Sequence, residues 1–113
     1  MTIQALKDYG ANIQEGVSRC MGNEAFYLRM VGMLAADPHT AQLEKALAEN
    51  DLKAAFEAAH ALKGVLANLA LTPALKPVSE ITEYLRAQTE MDYQPLMGEI
   101  RQAMDQLMVI IQG

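Results

Sequence analysis

Residues 51–70 decide the fold, and they read DLKAAFEAAHALKGVLANLA. Their apolar residues recur at spacings of three and four, the pattern of a helix that buries one face against other helices. We therefore predict a helix from about Asp51 to Ala70, with Asp51 as its N-cap. The predicted buried face consists of Leu52, Ala55, Ala59, Leu62, Leu66 and Leu69.

His60 lies on the other side of this predicted helix. At roughly 100° per residue, its side chain points about 130° away from the centre of the apolar face, and therefore outward. Lys63 and Gly64 follow at i+3 and i+4, where side chains adjoin His60 on a helix surface. Ala59 and Ala61 are small and leave space around the ring. A glycine in mid-helix costs about 1 kcal/mol relative to alanine, so its presence indicates a role for the open space.

This combination of side chains suits phosphoryl chemistry. An imidazole nitrogen can attack a phosphoryl group, and a nearby ammonium can contact the phosphoryl oxygens as a mobile point charge. A glycine beside the ring makes room for the added group and for an approaching partner. Two plainer interpretations stay open at this point: His60 as an ordinary solvated histidine, and Gly64 as a marker of close helix packing.

Residues 60–64, HALKG, resemble the His-x-Leu-Lys-Gly signature of histidine-containing phosphotransfer (HPt) domains. Residues 67–69, ANL, resemble the stretch that follows this signature, and the resemblance extends over nearly the whole chain. Val65 and Leu66 differ from the small residues that the family often has there, and Ala70 stands where the family often has glycine.

The resemblance implies a carrier in a two-component phosphorelay. His60 would accept a phosphoryl group from the aspartate of a receiver domain, or return it, with Lys63 stabilising the phosphoryl oxygens and Gly64 giving access. The partner would be the receiver of a response regulator or of a hybrid histidine kinase. We expect a carrier and not an enzyme, with no cofactor or metal site of its own. The magnesium ion and acidic pocket would come from the partner.

A docking surface around His60 follows from the same resemblance. Its predicted residues are Phe56, Ala59, Ala67 and Arg86, with Tyr9 or Ile13 at the edge. Counting back across the predicted hairpin brings Thr82, Glu83 and Arg86 level with His60 to within a turn. Arg86 would then lend a second positive charge to the phosphohistidine, or else be an ordinary solvated arginine.

Composition predicts an all-α fold. The 113 residues allow one domain, and 51% of them are apolar while only 5% are aromatic, so the core must be aliphatic. Good helix formers dominate, and no segment alternates with the period of a strand. We predict an antiparallel four-helix bundle (up-down) with short additional N-terminal helices. Residues 1–22 would cap the bundle, and residues 23–113 would form its core within a single domain, 1–113.

The charge and the cysteine count exclude several classes of protein. A net charge of −5 argues against nucleic-acid binding, which needs a clustered basic face. No long apolar run or leader indicates a membrane span or a signal peptide. Cys20 is alone, and His39 is far from His60 in sequence, so no zinc site is predicted. We expect a cytoplasmic monomer.

The flanking helices are predicted from their caps: Asn23, Thr72 and Asp92. Pro77 falls inside the helix that Thr72 begins, which predicts a kink or a late start of the regular helix. The helix that Asn23 begins should run to about Ala36. Its predicted inward residues are Phe26, Met30, Met33 and Leu34.

Three other functions stay open. The chain could be a structural helical adaptor in which His60 is incidental, or the phosphoacceptor domain of a chemotaxis-type histidine kinase, fed by ATP from a separate catalytic domain. A sensor-kinase dimerisation domain would need an acidic residue after the histidine, and Ala61 disfavours it.

Overall fold

The computed structural model describes residues 1–113, and it contains only helices. Three short helices and a 3-10 turn precede four longer helices. In chain order these are α1 (Ile3–Tyr9), α2 (Ile13–Arg19), α3 (Glu24–Gly32), the 3-10 turn (Met33–Ala36), α4 (His39–Ala48), α5 (Leu52–Asn68), α6 (Thr72–Arg86) and α7 (Gln94–Gln112).

The helices α4 to α7 form an antiparallel up-down bundle. α5 packs against both α4 and α6, and α6 also packs against α7. Short connections join consecutive helices, which makes neighbours antiparallel. An ion pair between Arg101 and Glu44, 2.9 Å from Nε to Oε1, links α7 back to α4. The predicted all-α bundle with short N-terminal helices is confirmed, and its four longer helices span residues 39–112.

The central helix, α5, follows the sequence prediction closely. Asp51 precedes it and accepts a hydrogen bond from the backbone N–H of Ala54 (3.0 Å). The predicted apolar face is buried except for Leu52, which is half-buried. Because alanines make up much of this face, the neighbouring helices can pack close to the α5 backbone. The buried residues within the helix are Ala55, Ala58, Ala59, Leu62 and Leu66.

The N-terminal helices are fixed to the end of α5 by a close contact at Gly16. A Cβ atom there would overlap the ring of Tyr27 and would lie 2.9 Å from the carbonyl oxygen of Leu69. The Tyr27 hydroxyl donates a hydrogen bond to that same oxygen (2.9 Å). Arg19 on α2 donates to the carbonyl oxygen of Ala67 (3.0 Å). The absence of a side chain at residue 16 therefore lets α2, α3 and the end of α5 meet.

The inward face of α3 differs from the prediction. Phe26 is on the surface, Met30 is half-buried, and Met33 is 62% exposed, whereas Leu34 is buried as predicted. Two apolar stripes compete on this helix, and the stripe that contains Tyr27 faces the core. Tyr27 takes the buried side because its ring fills the core while its hydroxyl reaches a backbone acceptor. The predicted core role of Met33 is therefore wrong.

Two predicted helix starts are shifted by one residue. α6 begins at Thr72 itself, with Leu71 in the cap position, so Thr72 is not the N-cap. α6 runs on through the buried Pro77, and the regular helix therefore does not start late. α7 has Tyr93 in the cap position, although the Asp92 carboxylate still accepts a hydrogen bond from the Gln94 N–H (3.0 Å).

Candidate functional site

His60 lies in the middle of α5 with its side chain exposed, as the apolar periodicity predicts. No hydrogen bond to the rest of the protein occupies either of its ring nitrogens, whereas Nδ1 of His39 lies 2.8 Å from an Asp37 oxygen. Gly64, one turn further on, is exposed too, and a Cβ atom added there would meet nothing within 4 Å. The surface beside His60 is therefore open.

The ring of Phe56 covers one face of the imidazole. Phe56 precedes His60 by one helical turn, and the two ring centroids are 5.4 Å apart with an interplanar angle of 10°. A stack of this kind restricts rotation of the imidazole and leaves the ring edge, with its nitrogens, accessible. The predicted place of Phe56 at the docking surface does not include its contact with His60, because a side-chain stack depends on rotamers.

Charged residues of α6 complete this side of the site. The Cζ atom of Arg86 lies 5.0 Å from the Phe56 ring centroid, a cation–π distance, so Arg86 reaches His60 only through Phe56. Arg86 also pairs with Glu83, at 3.3 Å from Nε to Oε1. Lys63 of α5 lies 3.9 Å from the other oxygen of the same carboxylate. Glu83 therefore pairs with both Lys63 and Arg86.

The opposite side of the site is an apolar groove. It has a volume of about 650 Å³ and lies between α5 and the segment formed by α3 and the 3-10 turn. Met30 and Met33 line one wall, and Ala61, Gly64 and Val65 line the other. The sequence contains a signal for it, since Met30 and Met33 follow Phe26 at helical spacing, but the same spacing also fits the inward face predicted above.

A family model described as "Hpt domain" matches residues 33–109 of the 113-residue chain. This chain belongs to the Hpt domain family. Neither a search of curated proteins nor a search of solved structures gave a match. Membership implies histidine phosphotransfer within a phosphorelay, with a receiver domain as the kind of partner.

The Hpt domain differs from the predicted docking surface at Ala59. This alanine is completely buried, so its side chain cannot contact a docked protein, and the prediction is wrong. The reason is that Ala59 belongs to the apolar face of α5 that packs against the bundle. Ala67 is half-buried, with its carbonyl oxygen bonded to Arg19. Of the two predicted alanines, only Ala67 exposes side-chain surface to a partner.

Tyr9, a predicted edge residue of the docking surface, connects α1 to α7. Its hydroxyl donates a hydrogen bond to the carbonyl oxygen of Ala103 (2.9 Å), and burial raises the pKa of Tyr9 to about 12. Tyr9 thus fixes α1 against α7. Ile13, the other predicted edge residue, is half-buried and lines a separate shallow depression on α2 together with Met21.

No three His, Cys, Asp or Glu side chains lie close enough together to hold a metal ion. None of the helices combines the length and the apolar composition that a transmembrane helix requires. Cys20 is buried and unpaired.

Proposed function

We propose that this Hpt domain carries a phosphoryl group on His60 to and from the receiver aspartate of a response regulator or of a hybrid histidine kinase. The observation that carries the proposal is the position of His60. It is the exposed histidine with free ring nitrogens, it stacks on Phe56, and it lies beside the open surface of Gly64. His39 lacks this environment because Asp37 binds its Nδ1 atom.

In the proposed transfer, the lone pair of a ring nitrogen of His60 attacks the phosphorus of the aspartyl phosphate. An N–P bond forms, the O–P bond breaks, and the aspartate leaves as a carboxylate with the bonding electron pair. The other ring nitrogen keeps its proton. Phosphoryl transfer depends mainly on positioning and on charge stabilisation. We expect the receiver to supply the magnesium ion and the acidic pocket, so that this domain is a carrier and not an enzyme.

Lys63 and Gly64 have different roles in this proposal. The Lys63 ammonium is on a flexible stem one turn from His60, and it can follow the phosphoryl oxygens as a point charge. Gly64 keeps the ring approachable, because any side chain at this position would project into the open space that the receiver must enter.

We further propose that the receiver docks over the apolar groove. A phosphoaspartate can reach His60 only if its domain covers the surface next to the ring. On the α6 side that surface is charged, with Glu83 and Arg86. On the α3 side it is mostly apolar, with Met30 and Met33, and Asp37 is the one charged residue that lines the groove. Burial of an exposed apolar surface is the main favourable term in association, so the groove is the better docking surface.

The test is phosphotransfer from a panel of phosphorylated receiver domains to wild type, His60→Gln and His39→Gln. We expect acid-labile, base-stable label on wild type and on His39→Gln, and none on His60→Gln. Label on a folded His60→Gln protein would refute the proposal. If no receiver labels wild type, while an ATP-bound kinase does, the chemotaxis-type alternative is correct. Cytoplasmic localisation and the monomeric state stay predictions, which fractionation and light scattering would test.

A further inference from the structure

Glu83 connects both cations of the site, and nothing in the proposed transfer uses it. Its carboxylate pairs with Arg86 on its own helix and with Lys63 on α5. We propose that Glu83 is a positioning residue that limits the stability of the phosphohistidine, because it competes with the phosphoryl group for Lys63. This inference rests on the proposed function, since it takes His60 as the phosphoacceptor.

The two ion pairs differ in strength. Arg86 donates to Glu83 from Nε at 3.3 Å and from Nη2 at 3.4 Å, and its guanidinium also lies over the Phe56 ring. Lys63 lies 3.9 Å from Glu83, which is too long for a hydrogen bond, and both side chains are partly exposed. Exposed pairs of this kind contribute little, so Lys63 can leave Glu83 for a stronger anion.

A phosphoryl group is that stronger anion. It carries about two negative charges near neutral pH and offers three acceptor oxygens, against one charge on a carboxylate. Lys63 is one turn from His60 and therefore within reach of a group on the ring. Arg86 is held by Phe56 as well as by Glu83, so it stays in place and keeps the stack against His60. The mobile cation is Lys63, and the fixed cation is Arg86.

The consequence is that Glu83 lowers the stability of the phosphohistidine. While Glu83 is charged, the phosphohistidine gains less from Lys63 and is repelled by a nearby carboxylate. A moderately stable phosphohistidine suits a carrier that must pass its group on. Glu83→Gln keeps the size of the side chain and removes its charge. We expect this variant to lengthen the half-life of the phosphohistidine by about two- to fivefold, the range of one exposed ion pair.

The experiment uses phosphoramidate, a small donor that needs no partner protein. Its N–P bond breaks as the N–P bond to His60 forms, and the amino group leaves as ammonia. Three proteins would be labelled and then separated from the donor: wild type, Glu83→Gln and Glu99→Gln. The release of phosphate from each protein would then be measured over time. Glu99 is an exposed residue of α7 outside the site, so its variant controls for the loss of one negative charge. Thermal unfolding would show that all three proteins fold alike.

Two readouts separate electrostatics from a structural role. The longer half-life of Glu83→Gln should shrink toward the wild-type value in about 1 M salt, where the Debye length falls to about 3 Å. The gain should also shrink in a Lys63→Ala background, since Glu83 then has no mobile cation to hold. By itself, Lys63→Ala should shorten the half-life relative to wild type.

Equal or shorter phosphohistidine half-lives in Glu83→Gln would overturn the inference, as would a gain in half-life that persists in salt and without Lys63. A His60 that phosphoramidate cannot label in any variant would also overturn it, because the state it describes would not form. Normal labelling by phosphoramidate combined with no transfer from any receiver would instead count against the proposed function alone.

Discussion

The two flanks of His60 differ in chemistry. On the α6 flank, the ion pairs of Glu83 with Lys63 and with Arg86 lie beside the Phe56 ring. The α3 flank is an apolar groove in which Met33 is 62% exposed. One flank holds charges that can act on a phosphoryl group, and the other holds apolar surface that can bind a protein. Changes on the α3 flank should therefore affect partner transfer only, and changes on the α6 flank should affect any phosphoryl donor.

Gly64→Gln should have the largest effect, because residue 64 is where the receiver approaches. We expect receiver-dependent transfer to slow by about 10- to 100-fold, since a misplaced phosphoryl group reacts poorly. The matched control is Gly98→Gln, because Gly98 on α7 is also in mid-helix with nothing within 4 Å of an added Cβ. Both variants should unfold at or above the wild-type temperature. Transfer at the wild-type rate in Gly64→Gln would remove the steric role.

Met33→Glu should have the next largest effect, and only on the protein partner. Placing a charge in the groove would raise the KM for the receiver by roughly tenfold, through lost burial and desolvation. Labelling by phosphoramidate should not change, because this small donor needs no protein surface in the groove. The control is Val109→Glu, which alters an exposed apolar residue of α7. If Met33→Glu and Val109→Glu behave alike, the receiver does not dock over the groove.

Phe56→Leu should have a smaller effect, but on both donors. It removes the stack on His60 and the cation–π contact with Arg86, which together suggest a loss of about three- to tenfold in transfer rate. Leucine keeps the half-buried position apolar. The rates with phosphoramidate and with a receiver should fall by a similar factor. A fall confined to the receiver would show that Phe56 contacts the partner and does not position the imidazole.

Tyr27, which fixes α3 to the end of α5, should make the stability of the protein depend on pH above about pH 10 and not at neutral pH. Burial raises the pKa of Tyr27 from 10.0 to about 12, and the nearby Cys20 adds to the rise. The unfolded chain ionises near pH 10 while the folded protein does not, so stability is complete below pH 10. It should fall by on the order of 2 kcal/mol between pH 10 and pH 12.

Denaturant unfolding of wild type and Tyr27→Phe over this pH range would isolate the contribution of Tyr27. Both proteins lose stability from other titrating groups, so the difference between them is the measure. The variant should be less stable than wild type at neutral pH, because the Leu69 carbonyl loses its donor. The difference in unfolding free energy between the two proteins should narrow above pH 10. A constant difference would contradict the raised pKa.

Much of the α5 side could be predicted from the sequence. The cap at Asp51, the buried face and the outward His60 all follow from helical periodicity, which depends only on residue spacing. The signature at residues 60–64 then gave the family, which the comparison confirms. The spacing of apolar residues is sufficient to predict how α5 is oriented, because this helix has a single apolar face.

The flanks could not be predicted in the same way. α3 has two apolar stripes, and the hydrogen bond of Tyr27 to the distant Leu69 carbonyl decides between them. The stack of Phe56 on His60 and the bridging position of Glu83 depend on side-chain rotamers and on the register of α6 against α5. Counting across the hairpin brings the α6 residues level with His60, but residue spacing does not say which side chains then make contact.

The most direct measurement is site mapping of the phosphate after transfer from a receiver that labels the wild-type protein. Digestion at alkaline pH, which preserves phosphohistidine, followed by fragmentation mass spectrometry, would assign the phosphate to one residue. We predict phosphate on His60 alone. Phosphate on His39 or on any other residue, with His60 unmodified, would contradict the account.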